Sequence, residues 1–402
     1  MRSRRIRSLA LVLAIVLLPS LARLSLVADE HPYYSVGIGL ADVAAAVLLA
    51  FAIPAVARRI AERRIDALGT TALAFGAIAL LSFALHPSPQ GAQTLFRLAS
   101  AVAIAIAILD VQGARERRLL LFAVAITAVT QTLLAIAQVA VGDLLVAYEH
   151  PPVIKAGPFI RPAGSLPNGF VLAGYALVTS ALLAAPAIAS GAGAVRSVLV
   201  ALAAAPVGLS FSRAAALGAA LAAAPLAPGA LRGARAQRIV LAAFLIGVGL
   251  PALVTREGWL ARSDEYPALA SADRRLELIV QTLPLLARDP LLGIGPGNTV
   301  AELRERKARE PGSVDLIQPP HDVPYLIALE TGIPGGLVAS ALLVLIGLRA
   351  WRLGPERMMA FLALLPYLAL DNYPWTAATG LPLLGLWAGA SLATRVTDDP
   401  PA

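Results

Sequence analysis

RSRRIRSLALVLAIVLLPSLARLSLVA, residues 2–28, joins a basic cluster to a long apolar run, and its reading decides the fold. An apolar run of about 20 residues is the length that crosses a hydrocarbon layer as a helix. A basic start before an apolar stretch also fits a secretory leader. The length of this stretch, and the apolar runs that follow it, predict an uncleaved first membrane helix instead. The same alternation recurs along the 402 residues, 58% of them hydrophobic, with a mean hydropathy of +0.75. No soluble core requires so much apolar sequence, so a soluble domain count from length does not apply.

Twelve spans are predicted, at approximately 7–27, 36–57, 67–85, 93–112, 119–141, 168–190, 197–211, 214–230, 238–255, 324–350, 357–370 and 376–394. The seventh and eighth are short and Ala-rich. Twelve crossings place both termini on the cytoplasmic side. The net charge of +8 and pI near 10.3 would suit a nucleic-acid partner, but the charges fall in short clusters between apolar runs. Examples are RRIAERR at 58–64, RERR at 115–118 and RGARAQR at 232–238. This is the positive-inside pattern, which argues against the nucleic-acid reading. It assigns 19 of the 33 basic residues to the cytoplasm, and nine of the other 14 lie between residues 256 and 309, in a long external segment exempt from the rule. Absent cysteine is compatible with an oxidising compartment.

The expected fold is thus an all-α integral membrane protein of about 12 transmembrane helices, one polytopic domain over 1–402, with a large external loop at 256–323. A second external segment, 142–167, is rich in Pro and Gly. Large external loops of membrane proteins usually carry chemistry or recognition. Neither internal repeats nor the inverted halves of many transporters are evident.

Four stretches carry candidate chemistry. In SFSRAAA, 210–216, Arg213 sits at an external turn, either as a snorkelling anchor or as a functional cation. In RLELIVQTLPLLARDPLLGIGPGN, 275–298, apolar Leu276, Ile279, Val280, Leu283 and Leu286 predict an amphipathic helix at the bilayer surface, opened by Arg275 with Arg274 beside it. GIGPGN reads as a turn; it lacks the third glycine and preceding strand of a nucleotide fingerprint. In PPHDVPYLIALETGIPGG, 319–336, Pro319 and Pro320 fix where a helix begins, and His321 at its mouth is a candidate proton acceptor. His31, His86 and His150 lack such a pre-set helix start. Glu330 reads first as a structural hydrogen-bond partner near the membrane face, with the glycines after it breaking a shallow helix. In DNYPW, 371–375, Asp371 either orients a histidine or arginine, or is a turn residue beside an aromatic belt. Arg161 in FIRPAGSLPN is a further external cation or a loop anchor.

The layout of twelve spans and the ordered motifs Ser212-Arg213, RLEL…DPLLGIGPGN, PPHD…Y…E-TG-IPGG and D-x-x-x-W resemble the O-antigen ligase family of bacterial membrane glycosyltransferases. That family also includes polysaccharide polymerases and protein oligosaccharyltransferases. The resemblance implies a GT-C-like membrane fold, a multi-pass place in the bacterial inner membrane and a periplasmic active site within the large loop's reach. It implies that Arg213, Arg275 and His321 are catalytic and that Arg161 and Asp371 match a basic loop residue and an acidic turn residue of the family; with Arg274, Tyr325 and Glu330 these two are the substrate-binding candidates, and neither metal nor cofactor is expected. The implied partners are an undecaprenyl-diphosphate-linked glycan, a lipid A-core or glycan acceptor, and membrane lipids. Departures are Asp322 where the family often has Asn, Ile279 where an aromatic is common, and a tighter run from Gly164 to Asn168; these bear on acceptor choice.

The residue types suit that chemistry. Diphosphate is already a good leaving group and needs its charge neutralised, which two arginines do through paired hydrogen bonds. An acceptor hydroxyl needs a base as it attacks, and His321 fits that task. Two rivals remain: a metal-dependent transferase using polyprenyl monophosphate sugars with Asp29-Glu30, and a transporter of the same lipid-linked glycan. Ligase, polymerase and protein transferase are not separated by the sequence, with ligase preferred.

Overall fold

The computed structural model describes residues 2–20, 23–27, 36–62, 65–111, 113–142, 155–265 and 267–393. Asp29, Glu30, His31, His150 and Arg395 lie outside the described residues. Each of the twelve predicted apolar stretches contains a helix: α1 (Arg2–Leu17), α2 (Leu40–Ala61), α3 (Ala67–Leu85), α4 (Pro89–Leu109), α5 (Ala114–Val141), α6 (Gly169–Ala189), α7 (Ala194–Leu209), α8 (Arg213–Ala223) running through a 3-10 turn into α9 (Ala227–Leu231), α10 (Arg235–Val254), and, beyond the large loop, α14 (Val323–Leu353), α15 (Pro355–Leu370) and α17 (Gly380–Leu392). The loop holds α11 (Arg256–Glu265), α12 (Ala268–Arg288) and α13 (Thr299–Arg309), and the short α16 (Tyr373–Thr376) precedes α17.

Eight of these, counting α8 and α9 as one helix, are long and apolar enough to cross a membrane. Both α1 and α15 have 16 residues. Such helices rise about 24 Å, short of a hydrocarbon layer of about 30 Å. The first span, predicted at 7–27, is shorter than the composition suggests. Its helix stops at Leu17, two residues before Pro19, and β1 (Arg23–Val27) turns into an antiparallel pair with β2 (Val36–Gly39). Proline within a helix removes a hydrogen bond and clashes with the preceding turn, so the apolar run is divided there. Arg97 of α4 ties in both the hairpin and α2, donating Nη2 to the Gly37 carbonyl at 3.2 Å and pairing with buried Asp42 at 3.4 Å.

Helix α6 is the centre of the bundle: 83% of its apolar window is buried, against 17–22% for α2, α3 and α10. Its composition allows this, because Ala173, Gly174, Ala176, Ala181 and Ala184 let neighbouring backbones approach closely. At Gly174 a Cβ would fall onto the Tyr373 hydroxyl.

The helix ends gather in two sets. Arg7 and Arg59 reach Asp110, and Arg349 reaches Asp66, which collects the start of α1, the ends of α2 and α4, and the α3 and α14 termini. At the other end, Ser165 donates to the Pro19 carbonyl, Arg161 to that of Ser210, Trp259 to that of Gly208 and Asn298 to that of His86. The large loop therefore caps one end of the bundle.

Candidate functional site

Arg213 is the first residue of α8, and the turn before it is held from three directions. Ser212 caps the helix by accepting from the Ala215 N–H at 3.2 Å. Phe211 has φ +51°, a left-handed conformation that costs a bulky side chain energy, and its ring is buried between Phe159 at 6.2 Å and Trp259 at 6.0 Å. Arg161, 2% exposed, donates Nε to the Ser210 carbonyl at 2.7 Å with its guanidinium 3.5 Å over the Phe170 ring. Arg161 thus holds the turn that presents Arg213.

Arg275 does not open its helix. The helix starts at Ala268, after Pro267. LASAD continues the helical run upstream of the two arginines, so Arg275 lies about two turns in. From there it turns inward, donating Nε to the Leu370 carbonyl at 3.1 Å and Nη1 to Ser271 Oγ at 3.0 Å. Burial lowers its pKa, the Asp371 carboxylate raises it, and the like charge of Arg213 lowers it again. Arg274 points elsewhere, paired with Glu277 and exposed. The predicted stripe does not face the protein: Leu276, Val280 and Leu283 are exposed, while Leu278, Thr282 and Leu285 pack inward.

His321 is placed by its neighbours in sequence. Asp322 caps α14, accepting from the Tyr325 N–H at 2.7 Å, and Asn372 Nδ2 holds the Pro319 carbonyl at 2.9 Å. The Gln318 amide nitrogen lies 2.8 Å from His321 Nε2. An amide NH2 can only donate, so Nε2 accepts and the ring proton sits on Nδ1. That nitrogen faces Asp371 Oδ1 at 3.8 Å. Burial lowers the imidazole pKa below its ordinary value, Asp371 raises it and Arg275 lowers it, so the ring is neutral near pH 7. Asp371 also accepts from the backbone N–H groups of Asn372 and Tyr373 at 2.8 and 3.3 Å, which fixes its carboxylate.

Glu330 is buried in structural contacts. Its Oε2 accepts from the Gly297 N–H and from Trp375 Nε1, each at 2.7 Å, and its Oε1 from Thr299 Oγ1 at 2.7 Å. The break expected after it is present at Gly332, φ +81°. There the GIGPGN turn enters the gap: Ile294 and Gly295 donate to the carbonyls of Leu329 and Glu330, and Ile333 donates to that of Pro290. Tyr325 joins α14 to α12 through Thr282 Oγ1 at 3.1 Å, and so sets the helix that carries Arg275.

The structure thus brings Arg213, Arg275, His321 and Asp371 together, with Arg161, Tyr325 and Glu330 as supports and Arg274 apart. Two participants were not read from the sequence. Gln318 stands one residue before the prolines, and Asn372 follows Asp371 directly; their adjacency to candidate residues was the available signal.

These features define a multi-pass, all-α membrane protein with a cation and imidazole cluster at one end of its bundle. Residues 198–340 match the family model of O-antigen ligase. The match supports a glycosyltransferase-type enzyme of a bacterial membrane. It includes Arg213, Arg275, His321 and Glu330, and leaves Arg161 and Asp371 outside it. No curated protein matches the chain.

Proposed function

We propose that the chain transfers a glycan from undecaprenyl diphosphate to an acceptor hydroxyl at the periplasmic face, with O-antigen ligation to lipid A-core as the reaction. The observation that carries this reading is the meeting of Arg275 with Arg213, His321 and Asp371, from four separated segments. The acceptor hydroxyl takes the place of the Gln318 amide at His321 Nε2. As its oxygen bonds to the anomeric carbon, its proton passes to Nε2 and the bond from that carbon to the diphosphate oxygen breaks. The electron pair leaves on the diphosphate, whose growing charge meets Arg213 and Arg275. The imidazolium so formed is stabilised through Nδ1 by Asp371. A single displacement inverts the anomeric centre, and the arginines make a metal unnecessary.

Glycan transfer by purified protein in EDTA tests the scheme. Full loss of activity restored by Mg²⁺ or Mn²⁺ would sink the metal-free mechanism, and near-normal turnover by His321→Ala would remove the base. Deletion of the gene with analysis of surface polysaccharide separates acceptors. Free undecaprenyl-linked long chains mark a ligase, and single repeat units on the core mark a polymerase.

A further inference from the structure

At the end of the bundle away from the candidate site, α1, α2 and the α4 terminus enclose a cavity of about 710 Å³. Its rim carries Arg7, Arg58 and Arg59 against Asp110 and Glu62, an excess of one positive charge. Asp110 is shared, lying 2.9 Å from Arg7 and 3.6 Å from Arg59. Its wall is apolar, made by the 50–55 stretch of α2, including Phe51 and Pro54. Pro54 lacks the N–H that would bond the carbonyl of Ala50, a residue that lines the cavity, so that oxygen is left without its helical donor. The wall continues along the same face of α2 to Val47, which is 39% exposed.

We propose that this cavity binds the headgroup of an anionic glycerophospholipid. The phosphodiester meets Arg58 and Arg59, a headgroup hydroxyl donates to the Ala50 carbonyl, and an acyl chain runs along Phe51, Pro54 and the α2 flank. Free phosphate would satisfy the cations alone. Only a ligand with charge at one end and hydrocarbon at the other uses both the rim and the wall. The site lies across the bundle from His321 and takes no part in the transfer chemistry.

The test uses the purified full-length chain, titrated with phosphatidylglycerol or phosphatidylcholine of the same acyl chains and read by native mass spectrometry. The wild type should hold phosphatidylglycerol preferentially at one saturable site. Each arginine near an anionic headgroup contributes about fivefold in affinity. The pair Arg58→Gln and Arg59→Gln should therefore weaken phosphatidylglycerol by about 25-fold and phosphatidylcholine hardly at all. Arg232→Gln with Arg235→Gln, exposed at the same end of the bundle, should change neither. Ala55→Trp, which fills the wall and keeps every arginine, should also lose the lipid. Equal binding of the two lipids, an unaffected Arg58/Arg59 variant, or displacement by millimolar inorganic phosphate would overturn the proposal, the last by marking a free-phosphate site.

Discussion

His321 Nδ1 stands 3.8 Å from Asp371 Oδ1, across the gap between the mouth of α14 and the turn after α15. That is too long for a hydrogen bond but close enough for the carboxylate's field to act on the ring. The pair faces Arg275, whose charge acts on the same imidazole in the opposite sense.

In the proposed mechanism the base is the neutral ring, so activity should fall as pH drops through the folded pKa of His321, which burial holds below 6.5. Asp371→Asn removes the influence that raises this pKa, so the acid limb should move to lower pH, while kcat falls about 10- to 100-fold through lost orientation. Arg275→Gln removes an influence that lowers it, so the limb should move up. The measurement is kcat/KM against pH, and a limb unmoved in both variants would mean that the three groups are not coupled.

Arg213 and Arg275 are expected to act as forks, not as point charges. Arg213→Lys and Arg275→Lys should each lower kcat by about 10- to 100-fold despite keeping the charge. The double variant should lose less than the product of the two, because both would meet one diphosphate. Single-turnover transfer with excess acceptor reads this, and near-wild-type rates from either lysine would contradict it.

Glu330 should be a stability residue. Glu330→Ala leaves three buried donors, from Gly297, Thr299 and Trp375, without an acceptor and should cost about 2–4 kcal/mol. Glu330→Gln should cost much less, since the amide nitrogen can face Thr299, whose hydroxyl can also accept. Thermal unfolding in detergent ranks the two; equal losses would show that the charge itself matters.

Gly332→Ala should disrupt the break in α14. At φ +81° and ψ 166°, a conformation only glycine adopts freely, an L side chain is strained by about 1–3 kcal/mol. A Cβ there would also overlap the Leu291 carbonyl in the turn that enters the gap. The expected result is a lower Tm and loss of transfer together. Unchanged Tm would show that the turn can shift.

The helices were legible in the sequence because burial in lipid demands long apolar runs and internal backbone bonding, which leave a strong signal. The start of α14 was legible from Pro319 and Pro320, and its break from the glycines after Glu330. The start of α12 was not, because ASAD looks like a polar loop although its residues continue a helix. The first span was overestimated because apolar strand residues at 23–27 carry the same signal as helix.

By itself, the sequence determined that this chain is a helical membrane protein and marked arginines and a histidine near its turns, because apolar length and charge placement are local properties. Tertiary structure decided what those residues do. Arg161 became an anchor, Glu330 a brace for the GIGPGN turn, and Arg275 a partner of Asp371 and Arg213, because each role depends on a carbonyl or charge that the fold brings in from a distant helix.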